Sequence, residues 1–244
     1  MMESGTSLEL VEAKSRLKML SFVSASLAIA AKDLRIELRT REVTTTTGFF
    51  AVLVAVLSSL SYTAGPRTTE RVAPGTIWLS LAFTAVLAIG RSWQREREDN
   101  AFLSLRLAPI PRAAIFTGKA LTLFVFLIVV EIVVVPVVAL VFHIDLPAVI
   151  GPLVLVMLAG TVGVAATGTL FGAMTVRTSA RDLMLAVVLL PLLAPALLAG
   201  VSATREILMG AELAELGDYF ILFGLFDFVA IAGGLGLFGA LIDD

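Results

Sequence analysis

Six apolar stretches alternate with polar connections along this chain, each close to the length that crosses a bilayer. Hydrocarbon about 30 Å thick calls for roughly 20 mostly apolar residues per helix. The stretches run from Gly48 to Ala64, Pro74 to Gly90, Ala120 to Phe142, Ile150 to Val176, Leu183 to Ala203 and Tyr219 to Ile242. The pattern predicts an all-α integral membrane protein with six transmembrane helices.

Ahead of them, Leu27, Ala31, Leu34 and Leu38 fall at helical spacing on one stripe. Lys32, Asp33, Arg35, Glu37 and Arg39 lie mostly off it. Residues 26–47 therefore read as an amphipathic helix in the membrane plane, leading through Thr44 to Thr47 into the first span. Residues 1–25 read as a loosely ordered extension, and residues 48–244 as the transmembrane domain.

Composition supports the class. The chain is 58% hydrophobic and 16% charged, with a mean hydropathy of +0.98. A soluble domain of 244 residues does not carry that balance. The formal net charge of −2 gives no bulk basic surface for nucleic acid. With no cysteine and one histidine, disulfides, thiolate chemistry and a multi-histidine metal site within one chain are excluded.

Charge also sets orientation. Lys14, Arg16, Lys18, Lys32, Arg35, Arg39 and Arg41 precede the first span. Arg91, Arg95, Arg97, Arg106, Arg112 and Lys119 lie between the second and third, and Arg177 and Arg181 between the fourth and fifth. Only Arg67, Arg71 and Arg205 fall on the other side. Basic residues favour the cytoplasmic side, so both termini are expected there. A competing pattern, Ala28-Ile29-Ala30 after an apolar run, resembles a signal-peptidase site, but cleavage there would invert this distribution.

Individual residues invite functional readings. Glu131 and Asp227 lie within apolar spans, where an ionised group costs about 2.5–3.5 kcal/mol and must face protein or water. Each reads either as a substrate or gating contact or as a protonated carboxyl bonded to a neighbouring helix. His143 reads as an interfacial polar cap, with haem or metal ligation as the alternative. Thr117-Gly118-Lys119 lacks the earlier glycine and following hydroxyl of a phosphate loop, so Lys119 reads as a snorkelling anchor. Pro191 and Pro195 are expected to break or kink the fifth span. The polar run Arg205 to Asp218 reads as a short outer helix or re-entrant turn. Gly160, Gly163, Gly168 and Gly172 read as packing positions.

The segment Arg91 to Gly118 reads as a cytoplasmic connection. Gln94 to Leu107 contains no Pro or Gly, which suits a helix, and Pro109 and Pro111 stop it. Arg91, Arg95 and Glu98 share a face with Phe102 near it. Glu96, Arg97 and Arg106 complete the charged set. Such a helix suits docking of a soluble partner, whereas a solvated loop would serve topology alone.

Several motifs in order, "APGTIW" (Ala73 to Trp78), "REREDNAF", "LAPIPRAAIFTGKAL" and a Glu-bearing third span, resemble the CcmB family. That family is the membrane subunit of the haem exporter ABC transporter in cytochrome c maturation. The resemblance covers about Ala30 to Asp244, and Phe226-Asp227 and the acidic end Asp243-Asp244 are similar too. Departures are Asn100, where the family has glycine, and Phe102-Leu103, where it has Leu-Glu. The resemblance implies an ABC-2-type exporter-like bundle in the bacterial inner membrane. It also implies a separate ATPase that binds ATP and docks on Arg91, Arg95, Glu96, Arg97, Glu98, Phe102 and Arg106. A haem-handling membrane protein and a periplasmic haem chaperone are the other implied partners, with a homodimer as one way to supply two membrane halves. This chain itself is expected to bind no cofactor and to catalyse nothing; haem enters as substrate. Alternatives are a generic ABC-2 permease, an ion-coupled carrier using Glu131 and Asp227, and a structural assembly factor.

Overall fold

The computed structural model describes residues 3–61, 68–98, 110–175 and 181–243, and every regular element among them is helical. In chain order they are α1 (Glu3–Thr40), α2 (Glu42–Ser61), α3 (Thr68–Glu98), α4 (Arg112–Phe142), α5 (Leu146–Thr175), α6 (Arg181–Leu208), a single 3-10 turn (Leu213–Leu216) and α7 (Gly217–Asp243). Five helices are long and apolar enough to cross a membrane, and the bent pair α1–α2 supplies a sixth candidate. With no water in hydrocarbon, each backbone must satisfy its own hydrogen bonds, and a helix does so within one segment.

α4 is central. It packs against α1, α2, α3, α5 and α7, while α3 bridges α2, α4, α5 and α6. α7 lies mainly against α5 and leaves much of its apolar surface outward, including Ile221, Leu225 and Phe228.

α1 and α2 meet at an angle of 73°. The turn is at Arg41, whose φ is +52°, and its N–H still bonds the Glu37 carbonyl at 2.7 Å. The bend therefore comes before Thr44 to Thr47, which belong to α2 rather than to a connector. If α2 spans, α1 lies near the membrane plane. Its Leu27 and Leu38 point away from the protein, at 53% and 76% exposure, and Ala31 is exposed beside them. Most of the apolar stripe thus points away from the protein, with Leu34 half-buried, and the opposite face, with Ser26, Ile29, Ala30 and Asp33, meets α4. α1 is helical from Glu3, so the stretch before residue 25 is not the loose extension expected. Ala28-Ile29-Ala30 sits inside this helix.

Other expectations change as well. α3 continues from the second span to Glu98, so Gln94 does not start a separate helix; backbone hydrogen bonding propagates where no Pro or Gly stops it. α4 already begins at Arg112, directly after Pro111, which shortens the expected connection from the other end. Residues 99–109, including Phe102 and Arg106, lie outside the described residues. Pro191 and Pro195 do not break α6. Both are exposed and four residues apart, on the outer side of the helix. After α6, Gly210 turns the chain at φ +92°, and Leu216 of the 3-10 turn is fully buried. The polar outer segment is thus a tight turn leading into α7.

Candidate functional site: a charged end and two isolated carboxylates

The basic end of the bundle is built where α1, α3, α4 and α7 converge. α4 starts there because Pro111, at φ −59° and ψ 134°, supplies an extended N-cap and its carbonyl accepts from Ala114 at 2.9 Å. One turn on, Phe116 is buried against Phe238 of α7, with ring centroids 5.5 Å apart. Trp93 of α3 reaches the same Phe238 at 6.3 Å. These aromatic contacts fasten three helix ends together.

Lys119 lies inside this junction rather than at the lipid boundary. It is 4% exposed, its Nζ stands 2.8 Å from Asp33 Oδ2 of α1, and it sits 5.6 Å from the centre of the Trp93 ring. A buried ammonium needs an opposite charge or a π-face, and it finds both. The snorkelling expectation fails because α1 covers this side of α4. Gly118 permits that approach: a Cβ there would stand 2.8 Å from the Ser26 carbonyl oxygen. Lys32 adds a 3.1 Å contact to the other Asp33 oxygen from the more exposed side.

The charged residues proposed for partner docking extend from this junction. Arg91 is exposed near the end of α3, and Arg95, Glu96, Arg97 and Glu98 form its last turn. α3 has 31 residues, roughly 46 Å at helical rise, so it outruns a hydrocarbon layer of about 30 Å. Its membrane-compatible part ends at Trp93.

Glu131 is buried in α4, and Thr161 of α5 donates its hydroxyl to Oε1. A narrow apolar crevice between α3, α4 and α5 passes Glu131, lined also by Ile77, Leu81, Val134 and Met157. Asp227 of α7 sits half-buried against Gly163 of α5, where the missing side chain leaves room for the carboxylate. Thr161 and Gly163 are two residues apart, about 200° around the helix axis. The two carboxylates therefore meet α5 on opposite sides and do not form one cluster.

His143 terminates α4 in the left-handed conformation, φ 58°, and its side chain is exposed. Among the described residues, no group of three or more His, Asp or Glu is placed to hold a metal ion.

Sequence reading missed Asp33, Trp93 and Thr161 as partners. Asp33 stood among Lys32 and Arg35 and looked like part of a solvated face. The only available signal was that Lys119 begins an apolar run with no acid at i±3 or i±4.

This arrangement defines an integral membrane helical bundle with a charged end and isolated intramembrane carboxylates. The chain belongs to the CcmB family, whose model, described as CcmB protein, matches residues 24–235. Similar curated proteins carry the name heme exporter protein B. That of Bradyrhizobium diazoefficiens is 28% identical over 190 residues, covering 77% of this chain and 84% of the relative. That of Rhodobacter capsulatus is 30% identical over 190 residues, 76% and 83% respectively. The Pseudomonas aeruginosa protein is 28% identical over 163 residues, 66% and 72%.

Proposed function

We propose that this chain is the permease subunit of an ABC transporter for c-type cytochrome biogenesis, seated in the bacterial inner membrane with both termini cytoplasmic. A separate ATPase subunit binds and hydrolyses ATP, and this chain couples that reaction to haem export or to release of a haem-loaded periplasmic chaperone. The observation that carries the reading is membership of the CcmB family across residues 24–235, among relatives named heme exporter protein B.

The geometry supplies a route for coupling. The last turn of α3 holds Arg95, Glu96, Arg97 and Glu98 beyond the membrane-compatible part of the helix. A helix propagates a push along its axis, because its backbone bonds resist bending. Motion imposed at Glu98 therefore reaches Trp93, and through its contacts the ends of α4 and α7.

The chain has no cysteine, so a single Glu98→Cys variant offers one thiol for crosslinking. Crosslinks to the ATPase subunit, together with loss of cytochrome c maturation when that ATPase is inactivated, are the expected result. No crosslink, and maturation that survives ATPase inactivation, would remove the reading.

A further inference from the structure

We propose that Lys119 and Asp33 form a latch that fixes the in-plane helix α1 to the cytoplasmic end of α4, making α1 a moving part of the coupling machinery. The proposal rests on the function above for its direction of work, but the latch itself is a property of the chain. Lys119 and Asp33 are positioning residues in this scheme, since neither is placed against a substrate.

Three observations meet at this point. The ion pair is buried at Lys119 and largely shielded at Asp33, with side-chain exposures of 4% and 11%, at 2.8 Å. Trp93 of α3 holds the same ammonium on its ring. Gly118 lets the α1 backbone approach so closely that any side chain there would collide with Ser26 or Ile29.

The surroundings explain why a latch is needed. α1 makes few contacts with α2, its neighbour in sequence, and packs chiefly on α4. The link between α1 and α2 is a single sharp turn at Arg41. The outer stripe of Leu27 and Leu38 is exposed and touches little of the protein. The buried apolar groups on the face toward α4 are Ile29 and Ala30. Apolar packing between membrane helices gains little over packing with lipid tails. A buried ion pair adds direction and register that such packing lacks. Because Trp93 also belongs to α3, a shift of the α3 end acts on Lys119 and is passed to Asp33 and α1.

The test uses the full chain with its ATPase subunit. Lys119→Met with Asp33→Asn removes both charges and so avoids leaving one buried alone. Spin labels at Leu27→Cys on α1 and Ile132→Cys on α4, both exposed, report the distance between the helices. The parent pair is expected to give one narrow distance, and the neutral variant a distribution at least twofold broader. The variant should retain the ATPase on co-purification while maturation falls about tenfold. In a second variant, Asp33→Cys with Lys119→Cys, bridging by a reducible bifunctional thiol reagent should return at least half of the maturation, and reduction should abolish it again. An unchanged distance distribution overturns the latch. A broadened distribution with undiminished maturation overturns its role in coupling. Maturation by the parent chain that is independent of the ATPase would instead overturn the proposed function, while the distance measurement still decides the latch.

Discussion

The Trp78 indole N–H donates to Thr204 Oγ1 at 2.9 Å, joining α3 to α6 through two fully buried side chains. The ring stacks on Phe223 of α7 with centroids 6.2 Å apart. It fits because Gly160 and Gly200 present no side chain to its two edges. Gly200→Ala is therefore expected to destabilise the bundle by about 1–3 kcal/mol through overpacking, seen as a lower melting temperature in detergent. Thr204→Val leaves the indole N–H unpaired and should cost less, on the order of 0.6–1.7 kcal/mol. Equal effects of the two variants would contradict the packing account.

Glu131 and Thr161 form another buried polar contact between neighbouring spans. Replacing Thr161 with Val or Glu131 with Leu breaks the same bond, so their effects should not add. A double-mutant cycle on thermal unfolding should return a coupling of about 0.5–1.5 kcal/mol. Glu131→Gln keeps an acceptor for Thr161 and should remain close to the parent in stability.

Asp227→Leu is expected to leave insertion intact and to abolish cytochrome c maturation, because the carboxylate is held in a gap made for it at Gly163. Its effect on stability should add to that of Glu131→Leu, since the two groups meet opposite sides of α5. Strong coupling between them, together with proton-linked flux, would instead support an ion-coupled carrier.

Orientation is open to labelling in a chain without native cysteine. Asp145 and Glu212 are exposed in the turns after α4 and α6, and Arg39 is exposed at the end of α1. A membrane-impermeant maleimide added to spheroplasts should label Asp145→Cys and Glu212→Cys and spare Arg39→Cys until the membrane is opened. The reverse pattern would invert the proposed topology.

The amphipathic stripe of α1 offers one more check. Leu38→Glu places a charge on the surface assigned to lipid. It should weaken protection of α1 from protease in membranes while leaving the detergent melting temperature within about 0.5 kcal/mol equivalent of the parent. A large fall in detergent stability would mean that Leu38 packs on protein instead.

The spans and the basic asymmetry could be read directly from the sequence. Bilayer thickness sets a minimum apolar length, and charge crosses hydrocarbon only at high cost, so both leave marks in linear order. The stripe Leu27, Ala31, Leu34 and Leu38 was legible for the same reason, and all but the half-buried Leu34 are exposed. The expected break at Pro191 and Pro195 does not occur: the helix runs on through both, and they face outward. Contacts between distant helices left no such mark. Nothing local joins Lys119 to Asp33, 86 positions away, or Trp78 to Thr204, and pairing across that separation depends on which helix faces which. Sequence alone thus determined the membrane class and where helices long and apolar enough to span would lie, since solvent acts on each segment separately. Tertiary structure decided that Lys119 is buried against α1, that α3 runs unbroken to Glu98, and that Glu131 and Asp227 stand on opposite sides of α5. Those facts depend on helix rotation and close approach, which small residues such as Gly118 and Gly163 permit but do not by themselves specify.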